Sequence, residues 1–157
     1  ATPNLGKLTD MITCPGLDYC NLANARSIPV ARDINKHFVD VDRVAVIGDF
    51  TVNISGCMNA CGHHHVGNVG ILGVDKRGTE FFQLTLGGSS DEAASLGDRL
   101  GRALPQEEVP VAIEAIVDAY LDVREEGERF LDTYRRVGMV PFKEAVYGPT
   151  ETKVVVA

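Results

Sequence analysis

Residues 50–65 run Phe50-Thr51-Val52-Asn53-Ile54-Ser55-Gly56-Cys57-Met58-Asn59-Ala60-Cys61-Gly62-His63-His64-His65. The first six alternate apolar and polar without a fault, the pattern of a half-buried strand. Gly56 ends that run, and two cysteines follow with three residues between them. A second thiol pair lies upstream in Thr13-Cys14-Pro15-Gly16-Leu17-Asp18-Tyr19-Cys20, with five residues between the cysteines. There the Cys-Pro-Gly turn closes a mixed apolar and β-branched segment running from Lys7 to Thr13.

Working outward, Val69 to Val74 is an apolar run, and Asp75-Lys76-Arg77-Gly78 is a turn. Phe82, Leu84 and Leu86 then alternate with Gln83 and Thr85, which makes a hairpin that Gly87-Gly88 ends. Between the thiol pairs, Asp18 can cap a helix beginning near Tyr19, which Pro29 should interrupt, with a second helical piece over Val30 to Phe38. Beyond the hairpin, Ser90 followed by Asp91-Glu92 predicts a helix to about Leu104. Val109, Ile113, Ile116, Val117, Tyr120 and Leu121 recur at helical spacing, and Phe130, Leu131, Tyr134 and Val137 continue the stripe. The expected fold is α+β, a mixed β-sheet covered by helices. Residues 1–157 make a single domain, with 91–138 as a helical scaffold behind a site-bearing front.

A length of 157 residues fits one domain with a real core. Acidic side chains number 22 against 15 basic ones, and the net charge of −7 disfavours nucleic acid and anionic membrane as partners. Nowhere do enough apolar residues run together to span a bilayer. Ala1 to Asp10 lack the marks of a signal peptide, so a cytoplasmic location is expected. The missing initiator Met is expected of a processed chain or of a piece of something longer. The tail from Gly148 onward is expected to be exposed or paired with a missing neighbour.

Three chemistries compete for the four cysteines. Disulfides need an oxidising compartment and are superfluous in a domain of this size. Structural zinc usually draws on tighter pairs, although His63, His64 and His65 offer alternative ligands. Four thiols at unequal spacing among Gly and Pro suit a cubane [4Fe–4S] cluster, whose corners loops can reach. Gly16, Gly56 and Gly62 would let backbone come close to it.

The segments Thr13–Cys20 and Ser55–Gly62 together resemble the sirohaem and [4Fe–4S] reductases of sulfite and nitrite, whose pattern is T-x-C-x5-C, then T/S-G-C-x-N-x-C-G some three dozen residues on. Val69-Gly70-Ile71-Leu72-Gly73 and Leu86-Gly87-Gly88 are similar to strands of that family. Gly62-His63-His64-His65 resembles its bacterial branch and leans the substrate toward sulfite. The resemblance implies that Cys14, Cys20 and Cys57 ligate cluster iron only. Cys61 would bridge cluster and sirohaem iron, making it the catalytic ligand for reduction of a small anion. Asn59 is either a contact to the macrocycle or a turn residue. His63 or a neighbouring histidine either meets the macrocycle or stands in solvent, while His37 is an ordinary helix-surface residue.

The same resemblance implies partners: the N-terminal half of the same reductase and a flavoprotein or ferredoxin electron donor. The substrate-side cations of the family belong largely to that other half. The basic residues here look scattered, so the chain alone is expected to be inactive. A face stripped of its neighbour should be apolar and exposed, which invites a homodimer. The competing functions are a haem-free [4Fe–4S] electron-transfer domain and a zinc-binding interaction module.

Overall fold

The computed structural model describes residues 3–149. Five strands form one mixed sheet in the order β1-β2-β3-β4-β5. They are β1 (Ile12–Thr13), β2 (Val52–Ser55), β3 (Val69–Lys76), β4 (Thr79–Leu86) and β5 (Asp98–Arg99). β1, β2 and β3 run parallel, whereas β3/β4 and β4/β5 are antiparallel. The hairpin turn is tighter than the sequence indicates: Lys76 pairs with Thr79, and only Arg77 and Gly78, both at positive φ, lie between them. That two-residue geometry matches the natural twist of the strands.

Among the described residues five α-helices complete the fold: α1 (Ser27–His37), α2 (Val41–Ile47), α3 (Val109–Val123), α4 (Phe130–Val137) and α5 (Val140–Tyr147). The inward side chains of the sheet, among them Ile54, Ile71, Leu84 and Leu86, share one core with Ile34, Ile47, Ile113, Tyr120, Phe130 and Phe142 from the helices. Each fully buried side chain of this kind contributes about 1.5–3 kcal/mol. The α+β expectation holds.

Two local expectations fail. No helix starts near Tyr19; the chain turns through residues 16–24 and α1 begins at Ser27, carrying Pro29 in its first turn. Proline is tolerated there because the first N–H groups of a helix lack partners anyway. The segment Lys7 to Thr13 is mostly turns, with Ile12 and Thr13 alone paired to β2.

The helix expected from Ser90 to Leu104, the front of the 91–138 scaffold, is absent. Ser89 Oγ accepts from the Asp91 N–H at 3.2 Å and Asp91 Oδ1 from the Ala93 N–H at 2.9 Å. Such local side-chain bonds compete with helix formation. The stretch then rejoins the sheet, as Gly97 N–H donates to His65 O at 2.8 Å and Leu100 N–H to Leu84 O at 2.9 Å. Regular helix begins only with α3. Among the described residues no helix is long and apolar enough to cross a membrane. Of the tail, Gly148 and Pro149 are exposed, and the remainder lies outside the described residues.

Candidate metal centre

β1 delivers Cys14 to the end of the sheet, where its N–H donates to Ile54 O at 3.1 Å and so extends the pairing with β2. Gly16 then takes φ +68, and a Cβ there would collide with the Ser27 backbone. The loop closes on itself through Cys20 N–H to Gly16 O at 2.9 Å and Leu17 N–H to Ala25 O at 3.0 Å.

The second loop leaves β2 at Gly56. Cys57 is buried, Ala60 turns left-handed at φ 57, and Cys61 emerges into solvent. β2 grips the segment just past Cys61 with two buried polar side chains. Ser55 Oγ accepts from Gly62 N–H at 3.1 Å, and Asn53 Nδ2 donates to His63 O at 3.1 Å. A Cβ on Gly62 would run into Ile54 O, so the loop lies flat on the strand only because that residue is glycine.

Gly56 laces the two loops together. Its N–H donates to Cys14 Sγ at 3.1 Å, and its carbonyl accepts from Asn24 N–H at 2.9 Å and Ala25 N–H at 3.0 Å. Ser27 Oγ lies 3.4 Å from the same Cys14 sulfur. A backbone amide of one loop and a thiol of the other, 42 residues apart in sequence, are thereby joined. All four cysteines are free; Cys57 is buried, Cys14 and Cys20 half-buried, and Cys61 exposed.

These loops fit a multi-iron centre. Their glycines admit close backbone approach, and their donor set is four thiols, one already receiving an N–H. Among the described residues, no three His, Cys, Asp or Glu side chains converge tightly enough to hold a single ion.

Asn59 is exposed between Cys57 and Cys61, and the left-handed turn position falls on Ala60 rather than on it. The three histidines divide. His63 is left-handed and exposed, His65 is exposed, and His64 is buried in a 3-10 turn over β2 and β3 with its Nδ1 unpartnered. Burial, and secondarily the neighbouring His65, push the His64 pKa from 6.5 down to about 4, so the ring is neutral. His37 is an exposed residue in the last turn of α1, as expected, and it contacts Glu114 on α3, which Arg43 of α2 also holds at 2.7 Å.

Sequence reasoning missed Asn53, Ser55 and Ser27. In an alternating strand Asn53 and Ser55 look solvent-facing, yet both are buried beneath the loop. Several exposed apolar residues neighbour the cysteines in sequence: Ile12, Leu17, Tyr19, Leu22 and Met58. The basic residues are less scattered than the sequence indicates, since Lys76, Arg99, Arg102 and Lys143 line one groove.

A mixed-sheet domain presenting four thiols on two laced loops is the class of protein that the fold and the site define. Residues 6–154 match the family model described as "Nitrite and sulphite reductase 4Fe-4S domain", and the chain belongs to that family. It is 29% identical over 131 residues to "Sulfite reductase [ferredoxin] 2" of Mycolicibacterium paratuberculosis, an alignment covering 77% of this chain and 23% of that protein. It is 30% identical over 146 residues to the "Sulfite reductase [NADPH] hemoprotein beta-component" of a Methylobacterium species, covering 88% of this chain and 22% of that one.

Among solved structures, the NirA protein of Mycobacterium tuberculosis superposes with a TM-score of 0.70 at 26% identity, over 85% of this chain and 26% of that one. Dissimilatory sulfite reductase I shares the fold at a TM-score of 0.71 and 13% identity, over 90% of this chain and 52% of that one. The chain thus spans about a quarter of the length of the first curated relatives it matches.

Proposed function

We propose that this chain is the cluster-bearing part of a cytoplasmic sulfite reductase. Cys14, Cys20, Cys57 and Cys61 would hold a [4Fe–4S] cluster, and the Cys61 sulfur would be shared with the iron of a sirohaem. The observation that carries this reading is the lacing of the two cysteine loops by Gly56, which leaves Cys61 as the exposed thiol of the four. When bound, the two groups would relay electrons from an external donor, six for each sulfite reduced to sulfide.

The chain's own residues do the positioning. The Gly56 N–H, aimed at Cys14 Sγ, is a donor of the kind that tunes an iron–sulfur potential. Asn53 and Ser55 fix the backbone after Cys61, so that its thiol faces outward in one orientation. Asn59 and His63, exposed on either side of Cys61, would meet macrocycle carboxylates. Ile12, Leu17, Tyr19, Leu22 and Met58, exposed and close to the cysteines in sequence, would offer apolar surface on which the remainder of the reductase packs. A second copy would take that place when the remainder is absent. The substrate-side groups belong to the rest of the protein, so the isolated chain is expected to be inactive.

Iron, acid-labile sulfide and zinc per chain, measured on anaerobically prepared protein, test the reading. About four iron and four sulfide are expected, with a haem band on adding sirohaem that Cys61→Ser abolishes. Iron and sulfide with no haem uptake, in this chain or in the full-length protein, would make it a haem-free electron carrier. Zinc without sulfide would make it an interaction module.

A further inference from the structure

Among the described residues, three that are not glycine take left-handed backbone: Ala60 at φ 57, His63 at φ 52 and Arg77 at φ 56. Arg77 is accounted for by the two-residue hairpin turn, which demands that geometry. The other two flank Cys61-Gly62, in the connection between the parallel strands β2 and β3, where no hairpin imposes it. A left-handed residue brings its Cβ against the following carbonyl oxygen, a cost that Ala and His both bear. Such outliers persist only where the surrounding structure holds them.

The bonds that hold them form a series. Ala60 N–H donates to Cys57 O at 3.2 Å, His63 N–H to Ala60 O at 2.7 Å and Val66 N–H to His63 O at 3.1 Å. Each left-handed residue therefore closes one turn and opens the next. Repeated on right-handed backbone, bonds of this spacing wind a 3-10 helix, and one does run from His64 to Val66, directly after the second joint. Were the coil carried back to Cys57 and relaxed to α geometry, two cysteines four residues apart would share one face. The left-handed joints break that coil, and the two thiols end in opposite surroundings: Cys57 is 7% exposed, while Cys61 is open to solvent. Asn53 on His63 O and Ser55 on the Gly62 N–H hold the second joint against β2.

Resting on the proposed reductase reading, we propose that Ala60 and His63 are positioning residues, whose left-handed backbone parts Cys61 from Cys57. One sulfur is kept inside and the other is presented outward, open to a second metal. For His63 this duty belongs to the main chain and is separate from anything its imidazole does.

The test is the alkylation rate of each thiol in the metal-free full chain, read by mass mapping. In the wild type Cys61 should react faster than Cys57. Ala60→Val and His63→Val put a β-branched residue where left-handed backbone is hardest to adopt. Each should lower the Cys61-to-Cys57 rate ratio several-fold, with the Cys20 rate unchanged. Ala60→Gly and His63→Asn accept that backbone and should keep the wild-type ratio, although His63→Asn discards the imidazole. Cys57 reacting as fast as Cys61 in the wild type would overturn the proposal. So would a wild-type ratio in both valine chains, the same fall in the glycine and asparagine chains, or equal acceleration of all four thiols in the valine chains. Iron and sulfide content scores the reductase reading separately, because alkylation of the metal-free chain needs neither cluster nor haem.

Discussion

The side-chain amide of Asn53 donates to the backbone carbonyl of His63 at 3.1 Å, tying the middle of β2 to the loop that presents Cys61. Asn53 is buried, as is Ser55 two residues on, which takes the Gly62 N–H. Removing either partner leaves a buried group unpaired. Asn53→Leu and Ser55→Ala should each cost about 1–3 kcal/mol. Both should also speed alkylation of Cys61 relative to Cys14, which thermal melts combined with mass mapping of modified thiols would check. Ser55→Thr, which keeps the hydroxyl, should restore the slow alkylation. Equal rates in all variants would remove these residues from the site.

Backbone contact makes the glycine at 62 obligatory. Gly62→Ala drives a methyl into Ile54 O, which neither strand nor loop can yield without breaking the Ser55 contact. The expected loss is about 3 kcal/mol or more, read as a lowered urea midpoint. Gly56→Ala, whose methyl would lie 2.6 Å from Ala25 O, should behave alike.

Acid should weaken the metal-free chain in two stages. His64 has its pKa lowered by burial from 6.5 to about 4, so the unfolded chain takes up that proton first. Stability therefore declines as pH falls from about 6.5 toward 4. Glu128 has its pKa lowered from 4.5 to about 2, chiefly by the Arg136 guanidinium, and its contribution is present above 4.5 and fades as pH falls toward 2. His64→Leu should flatten the upper stage and spare the lower one in a series of denaturation midpoints against pH.

Tyr120 ties the helical layer together. Its hydroxyl lies 3.2 Å from Ile47 O and 3.0 Å from Glu128 O, joining the end of α2 to the turn before α4. Tyr120→Phe keeps the ring and should cost about 1–2 kcal/mol, seen in the melting temperature, with no change in iron or sulfide bound.

The parts that were legible in the sequence are those where one local force acts alone. The alternation at Phe50–Ser55 and Phe82–Leu86 and the turn at Asp75–Gly78 are periodic or conformational signals, and all three appear in the structure, the first as β2 from Val52 and the last tightened to Arg77-Gly78. The stretch after Ser90 has helix-forming composition, but its Ser and Asp side chains bond locally and its backbone is claimed by β4 and His65. Two short helices carried signals that the hydrophobic pattern does not use. Asp40 caps α2 with its carboxylate, Pro141 lies in the first turn of α5, and Gly48 and Gly148 end them. Asn53 and Ser55 were illegible because a strand's polar face looks the same whether water or a folded-back loop covers it.

The bond from Gly56 to the sulfur of Cys14 spans 42 residues and uses protein atoms alone, as do the bonds from Asn24 and Ala25 to Gly56. The joining of the two loops therefore needs no inorganic template to draw them together. Maturation of such a protein can proceed in a fixed order, chain first and inorganic core afterwards. Oxidative loss of that core then strands a repairable shell, ready for reloading, in place of an unfolded polypeptide.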